Sequence, residues 1–315
     1  MRLGVDLGGT KIEVACLDGD GRELLRRRVP TPRGDYRATL AAVAALVHDA
    51  ERELGLRCSV GVGIPGAVSA RTGLVKNANS TWLNGRPLGQ DLDAALRRRV
   101  RVANDANCFA ISEAADGAAA GFATVFGVIL GTGVGGGLVV NGRVLTGANA
   151  IAGEWGHNPL PWPGEGEWPG PPCWCGRRGC IEAWLCGSAL VRDAAGGSVP
   201  VTGSRPSADA GAGTDALAIV RAALDGEAGA LGALDRYVER LARGLASVIN
   251  VFDPDAIVLG GGLSNVDALY ERVPPRWQPY VFSDTVRTAL LRNRHGDSSG
   301  VRGAARLWDA GEGCG

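Results

Sequence analysis

The sequence predicts a two-lobed α/β protein, and three observations carry the prediction. At 315 residues the chain reaches the size at which one core stops growing and splits. Short apolar runs of strand length alternate with segments of helical period. Three of these runs end directly in glycine-rich turns: Asp6-Leu7-Gly8-Gly9-Thr10-Lys11, Gly131-Thr132-Gly133 and Gly260-Gly261-Gly262.

Taken in order, Leu3, Val5 and Leu7 alternate, and Ile12, Val14 and Cys16 repeat the alternation after Gly8-Gly9. That pattern predicts a hairpin opening a sheet. Over residues 37–54, Leu40, Val43, Ala44 and Val47 recur at the spacing of an amphipathic helix, and Val60 to Ile64 reads as a buried strand ending at Pro65-Gly66. A helix over Leu92 to Arg99, a strand over Val100 to Ala103 and a helix over Ala106 to Ala115 complete a first lobe, expected at 1–115. The second, at 116–296, starts with Thr124 to Leu130. The glycine turn and a strand over Leu138 to Val140 follow, then the hairpin signal Asn141-Gly142. Prolines and glycines make 161–172 an irregular loop, and 196–213 reads as a flexible insertion. Leu234, Val238, Leu241, Leu245 and Val248 mark a long helix that Asp253-Pro254 breaks before a strand over Ala256 to Leu259. A last helical segment, around Gly300 to Trp308 within 297–315, is expected to return to the first lobe, with Gly311 to Gly315 a frayed tail.

Charge narrows the partners. Lys plus Arg and Asp plus Glu both number 33, so no overall field draws nucleic acid or an anionic membrane, and a neutral small substrate fits better. The basic run Arg97-Arg98-Arg99-Val100-Arg101 reads as a solvated helix end. Ala123 to Val140 is apolar, but its six glycines argue for strands and a turn rather than a membrane helix. The first residues enter a strand without an export signal, and Cys16, Cys58, Cys108, Cys186 and Cys314 are scattered, which together suit a reducing cytoplasm.

Chemistry concentrates in the glycine turns, an acidic pair and a thiol cluster. Cys173, Cys175 and Cys180 place three soft ligands within eight positions, with Gly176 and Gly179 allowing a tight fold around a tetrahedral zinc. His157, in the loop just upstream, is the expected fourth ligand. Trp155, Trp162, Trp168, Trp174 and Trp184 surround the cluster and are expected to pack its loop. Gly8, Gly9, Thr10 and Lys11 form one half of a phosphate clamp and Gly131, Thr132 and Gly133 the other, because no β-carbon blocks a phosphate from the backbone N–H groups. Gly261 and Gly262 could admit a flat adenosine. Neither a P-loop nor a Rossmann fingerprint in strand-to-helix context is present. Asp105, between a strand and a helix, is placed either to cap the helix or to accept a hydroxyl proton as general base. Asp6 either caps its turn or orients magnesium and its waters.

Together, DLGGTK at 6–11, NDANCFA at 104–110, ILGTGVGGG at 129–137, GEWGH at 153–157, the cysteine cluster and DPDAIVLGGG at 253–262 resemble the ROK family of bacterial sugar kinases and related repressors. The runs VKNANSTWLNG at 75–85, GEWGHNPLPW at 153–162 and HGDSSGVRGAA at 295–305 look closest to its manno(fructo)kinases. The resemblance implies an actin-like ATPase (ribonuclease H-like) fold with an inter-lobe cleft. It also implies ATP, magnesium and structural zinc as cofactors, and a homodimer. Asp105 matches the family's catalytic base. Asn104, Glu154, His157 and Glu182, with Gly66 and Asn79 nearby, match its sugar pocket, and His157, Cys173, Cys175 and Cys180 its zinc ligands. Fructose is the expected hexose, with mannose or glucose also accepted; N-acetylglucosamine kinase or glucokinase is the alternative. A sugar-responsive regulator would carry a DNA-binding module ahead of the phosphate turn, for which five residues before Asp6 leave no room.

Overall fold

A computed structural model describes residues 1–196 and 212–308. Two compact units emerge. One comprises Met1–Gly121, Gly137–Ala152 and the segment from Arg294 onward; the other lies within Phe122–Gly136 and Gly153–Asn293.

In the first unit β1 (Arg2–Leu7), β2 (Lys11–Leu17) and β3 (Glu23–Pro30) form a meander, followed by α1 (Tyr36–Leu54) and β4 (Ser59–Ile64). α1 starts where the Asp35 carboxylate accepts from Ala38 N at 3.0 Å and stops at Gly55 in the left-handed region. A small ribbon, β5 (Ala67–Val68) with β6 (Val75–Lys76), leads to α2 (Leu88–Leu96), β7 (Val100–Asn104) and α3 (Asp105–Ala115). The sheet order is β3-β2-β1-β4-β7, with β1, β4 and β7 parallel. α2 lies earlier than the sequence period suggested, because Arg97 takes a left-handed cap at φ 52° and ends the helix there. The basic run is not simply solvated: the Arg98 side chain is 9% exposed and pairs with Glu51 at 2.6 Å.

The second five-stranded sheet uses β8 (Thr124–Leu130), β9 (Val134–Val140), β10 (Arg143–Val144) and, later in the chain, β11 (Ala256–Gly260) and β12 (Ala289–Arg292). Its order, β10-β9-β8-β11-β12, repeats the first: third, second, first, fourth, fifth in chain order. β9 begins four residues before the expected Leu138 because its glycines are packing positions, not turn. A Cβ on Gly136 would meet Gly153 O at 2.6 Å, and one on Gly137 would meet Ala106 O at 2.5 Å. Asn141 (φ 48°) and Gly142 (φ 73°) make the left-handed turn between β9 and β10.

Helices α4 (Ile181–Leu185), α5 (Gly187–Ala194), α6 (Ala212–Leu224) and α7 (Ala228–Phe252) belong to the second unit, as does α8 (Asp267–Trp277), the crossover between β11 and β12. α6, α8 and β12 were not foreseen. Loop 161–172 has no helix or strand yet is pinned, since the buried Arg240 and Arg243 of α7 reach Glu167 at 2.7 and 2.8 Å. Of the expected insertion at 196–213, residues 197–211 lie outside the described residues, as does the tail at 311–315. α9 (Ser299–Ala305) packs on β1 and β4 at Gly4 and Gly61, where an added Cβ would sit 1.9 Å from the carbonyl oxygens of Val301 and Ala304. No helix among the described residues is long and apolar enough to cross a membrane.

Candidate functional site

In the first unit the parallel strands β1, β4 and β7 end side by side, and the polar residues of interest follow those ends. After β1, Gly8 N donates to Lys11 O at 3.0 Å, while Thr31 Oγ1 donates to Gly8 O at 2.8 Å and fixes the turn from outside. Thr10 is exposed, with Gly8, Gly9 and Lys11 half-buried. After β4, Gly66 has φ +82° and no room for a side chain, because a Cβ would meet Lys76 O at 2.5 Å and Ala78 N at 2.6 Å. After β7, Asn104 caps α3 by accepting from Ala106 N at 2.9 Å, and its Nδ2 donates to Gly66 O at 2.8 Å. One amide thus ties the ends of β4 and β7 together. Asp105 is the first residue of α3, half-buried, its Oδ1 accepting from Ala106 N at 2.8 Å. It is therefore a helix-start residue.

Asp6 stands close enough to Asp105 for the Asp105 charge to disfavour ionisation of Asp6. Desolvation first, and Asp105 second, push the Asp6 carboxyl up to about 6. A dication or its waters would relieve both causes. Gly300 of α9 leaves room for this carboxylate, with an ideal Cβ 3.2 Å from Asp6 Oδ2. Asn79 is exposed, and its neighbour Ser80 is 2% exposed with an Oγ lacking a hydrogen-bond partner among the described residues. Thr31, Ser80 and Gly300 were not singled out from sequence: each acts across a long chain separation, and only Gly300 and Ser80 fall in runs noted for other reasons.

In the second unit, β8 and β11 run parallel and both end in glycine turns. Gly131 N donates to Gly133 O at 3.0 Å, and Gly131 O accepts from Gly187 N at the start of α5 at 2.8 Å. Gly261, at φ +80°, approaches Leu130 so closely that a Cβ would meet its carbonyl oxygen at 2.4 Å. Gly131 and Gly262 have nothing within 4 Å of an ideal Cβ, so their faces are open. The turns carrying Gly131, Thr132 and Gly133 and carrying Gly261 and Gly262 are therefore neighbours.

The thiol cluster is in the same unit. One ligand atom from each of His157, Cys173, Cys175 and Cys180 falls within 4.8 Å of the others. Cys173 Sγ is 3.6 Å from His157 Nδ1, and Cys175 Sγ is 3.6 Å from Cys180 Sγ. Tetrahedral zinc with Zn–S near 2.3 Å sets sulfurs roughly 3.8 Å apart, so this donor set fits zinc and is too open for a disulfide. Glu182 is buried rather than on the surface. Its Oε2 accepts from Val134 N at 3.0 Å and its Oε1 from Trp174 Nε1 at 2.5 Å, joining the second glycine turn to the thiol loop. Glu154, by contrast, is exposed. The tryptophans divide similarly: Trp155 is buried against Phe126 and Gly244, whereas Trp168 is 77% exposed.

Two sheets of identical strand order, each with glycine turns at its parallel-strand ends, define an actin-like ATPase (ribonuclease H-like) fold. Residues 2–310 match the ROK family. The N-acetyl-D-glucosamine kinase of Pectobacterium atrosepticum is 40% identical over 314 residues, covering 98% of each chain. That of Vibrio cholerae is 40% identical over 313 residues, covering 98% of this chain and 99% of its own. Among solved structures, a ROK hexokinase from Thermus thermophilus superposes with TM-score 0.82 at 34% identity, covering 97% of both chains. The chain belongs to the ROK family of sugar kinases.

Proposed function

We propose that this protein transfers the terminal phosphoryl group of ATP to a hydroxyl of N-acetylglucosamine. The observation that carries the chemistry is Asp105: a carboxylate at a strand end, with Asn104 ordering the adjacent Gly66 backbone and Asp6 beside the first phosphate turn. Asp105 accepts the proton of the sugar hydroxyl as its oxygen bonds to phosphorus, and the bond to the bridging oxygen breaks to release ADP. Backbone N–H groups of Gly8, Gly9, Thr10, Gly131, Thr132 and Gly133 hold phosphate oxygens, Lys11 adds charge, and Gly261 and Gly262 leave space for adenosine. Magnesium, positioned through Asp6, neutralises the phosphates when bound.

Asn79, Asn104, Glu154, His157 and Glu182 supply hydrogen bonds to the sugar, with Gly66 at its edge. The fit of His157, Cys173, Cys175 and Cys180 supports one structural zinc, which when bound would cross-link the loop that presents His157 and Glu182. On substrate, the 40% identity to N-acetyl-D-glucosamine kinases over nearly the whole chain favours that sugar. Fructose, the first expectation from sequence motifs, has no comparable support. Coupled ADP release with ATP and magnesium, run on N-acetylglucosamine, fructose, mannose and glucose, tests the assignment. The expected result is highest kcat/KM with N-acetylglucosamine; a fructose preference would restore the earlier expectation, and no turnover with any hexose would overturn the kinase reading.

A further inference from the structure

The basic run before β7 borders a cavity of about 700 Å³ within the first unit. Arg99 and Arg101 of that run, Arg143 of the β9–β10 hairpin and Arg306 after α9 all line it, and no lining residue is acidic. β7 is the edge strand of its sheet, so side chains and loops, not another strand, close this side. Two of the guanidinium groups are held in place. Arg101 Nη1 donates to Leu307 O at 2.6 Å and the group lies 4.2 Å from the Trp308 ring, while Arg306 pairs with Asp116 at 2.5 Å. Asp116 offsets part of the charge, but it lies outside the wall and is shared with Arg302.

The lining sets four arginines and the amides of Asn104 and Asn107 around one space with no acidic residue among them. Guanidinium forks set around a small cavity match the oxygens of a dianionic phosphate, and the volume suits a metabolite rather than a polymer. We infer that this cavity binds the phosphate group of a small phosphomonoester. Asn104 lines it as well as belonging to the proposed sugar pocket, which makes a sugar phosphate the ester it meets first. That preference for a sugar phosphate rests on the proposed kinase reaction, whereas phosphate binding does not.

The test is isothermal titration of the full chain, saturated with N-acetylglucosamine, against glucose 6-phosphate and separately against inorganic phosphate. The Arg99→Gln/Arg143→Gln double variant is titrated alongside; both side chains are exposed and neither has a role in the proposed reaction. Expected is saturable binding to the parent protein, weakened roughly tenfold or more in the double variant, with sugar phosphorylation unchanged. Tighter binding of the ester than of phosphate identifies a sugar phosphate as the source, and equal binding identifies phosphate alone. Equal affinity in parent and variant, or no binding up to about 10 mM of either probe, overturns the inference. Arg99→Gln alone, expected to weaken binding less, keeps the comparison decisive should the double variant not fold. Because sugar turnover is read separately, failure here leaves the kinase assignment intact, and failure of the kinase assignment leaves the titration interpretable.

Discussion

Asp105 has one role in the fold, accepting from Ala106 N, and one proposed role as general base, and an isosteric change separates them. Asp105→Asn keeps an oxygen for the Ala106 N–H but cannot take a proton. We expect kcat to fall about 10²–10⁴-fold with little change in the sugar KM, read by coupled ADP release; unchanged kcat would remove Asp105 as base. Asp6 carries a pH signature. Its folded-state carboxyl, raised to about 6 from an ordinary 3.8, binds its proton more tightly folded than unfolded. The associated stability is present below the unfolded value and is lost as pH rises through about 6. Asp6→Asn should therefore raise the Tm of the ligand-free protein more at about pH 7.5 than at about pH 5, and an equal shift at both would contradict this. Asp105, Asp6 and the thiols are singled out by sequence because each stands in a dense local pattern, and the structure brings the thiols and His157 together. Thr31 and the tie from Glu182 to the second glycine turn are not singled out, since Thr31 reaches Gly8 across 23 residues and Glu182 reaches Val134 across 48.

At the scale of elements, close packing seats α9 in the first unit, and the proposed zinc ligation would fix the thiol loop in the second. α9 rests on the backbone of β1 and β4 because Gly4 and Gly61 have no Cβ, and on α3 because Gly303 approaches Cys108 O, where a Cβ would come within 1.6 Å. Glu113 completes the joint: its buried carboxylate accepts from Arg294 N at 2.9 Å, His295 N at 3.1 Å and Ser299 Oγ at 2.7 Å. Gly61→Ala should destabilise the fold by about 1–3 kcal/mol or more in urea unfolding, since backbone must move to admit the methyl; an unchanged midpoint would refute this packing. The thiol loop is the second case. Metal analysis of chelator-free protein should find about one zinc per chain, and Cys180→Ala should lose it and lower Tm, while the equally buried Cys186→Ala retains it. Zinc remaining after Cys180→Ala would exclude that thiol as a ligand. The alternating Leu3, Val5 and Leu7 gave away β1, yet the same pattern concealed that Gly4 is a helix seat.

Across the whole molecule, the repeated strand order is the main fact that local reading missed. Each half places glycine turns at the ends of parallel strands, the edge where α/β sheets gather ligands. One half carries Asp6 and Asp105 and the other carries the glycine pair of turns and the thiol loop, so either half alone holds only part of the proposed chemistry. Substrate choice belongs to this scale. We expect kcat/KM for N-acetylglucosamine to exceed that for fructose by roughly tenfold or more, because a site that hydrogen-bonds a specific polar substituent rejects sugars lacking it. A ratio near unity in the same assay would show a pocket that reads only the shared hydroxyls.

Sequence alone determined the periodic elements, the glycine turns, the zinc-type donor set and the family, because each is written in residues close together or in motifs matched in order. Tertiary structure decided that the two sheets repeat one topology, that β9 starts within the glycine run, that Glu182 is buried, and that part of a basic run lines a cavity. Those outcomes depend on which distant backbone comes within van der Waals or hydrogen-bond range, and local spacing carries no record of that.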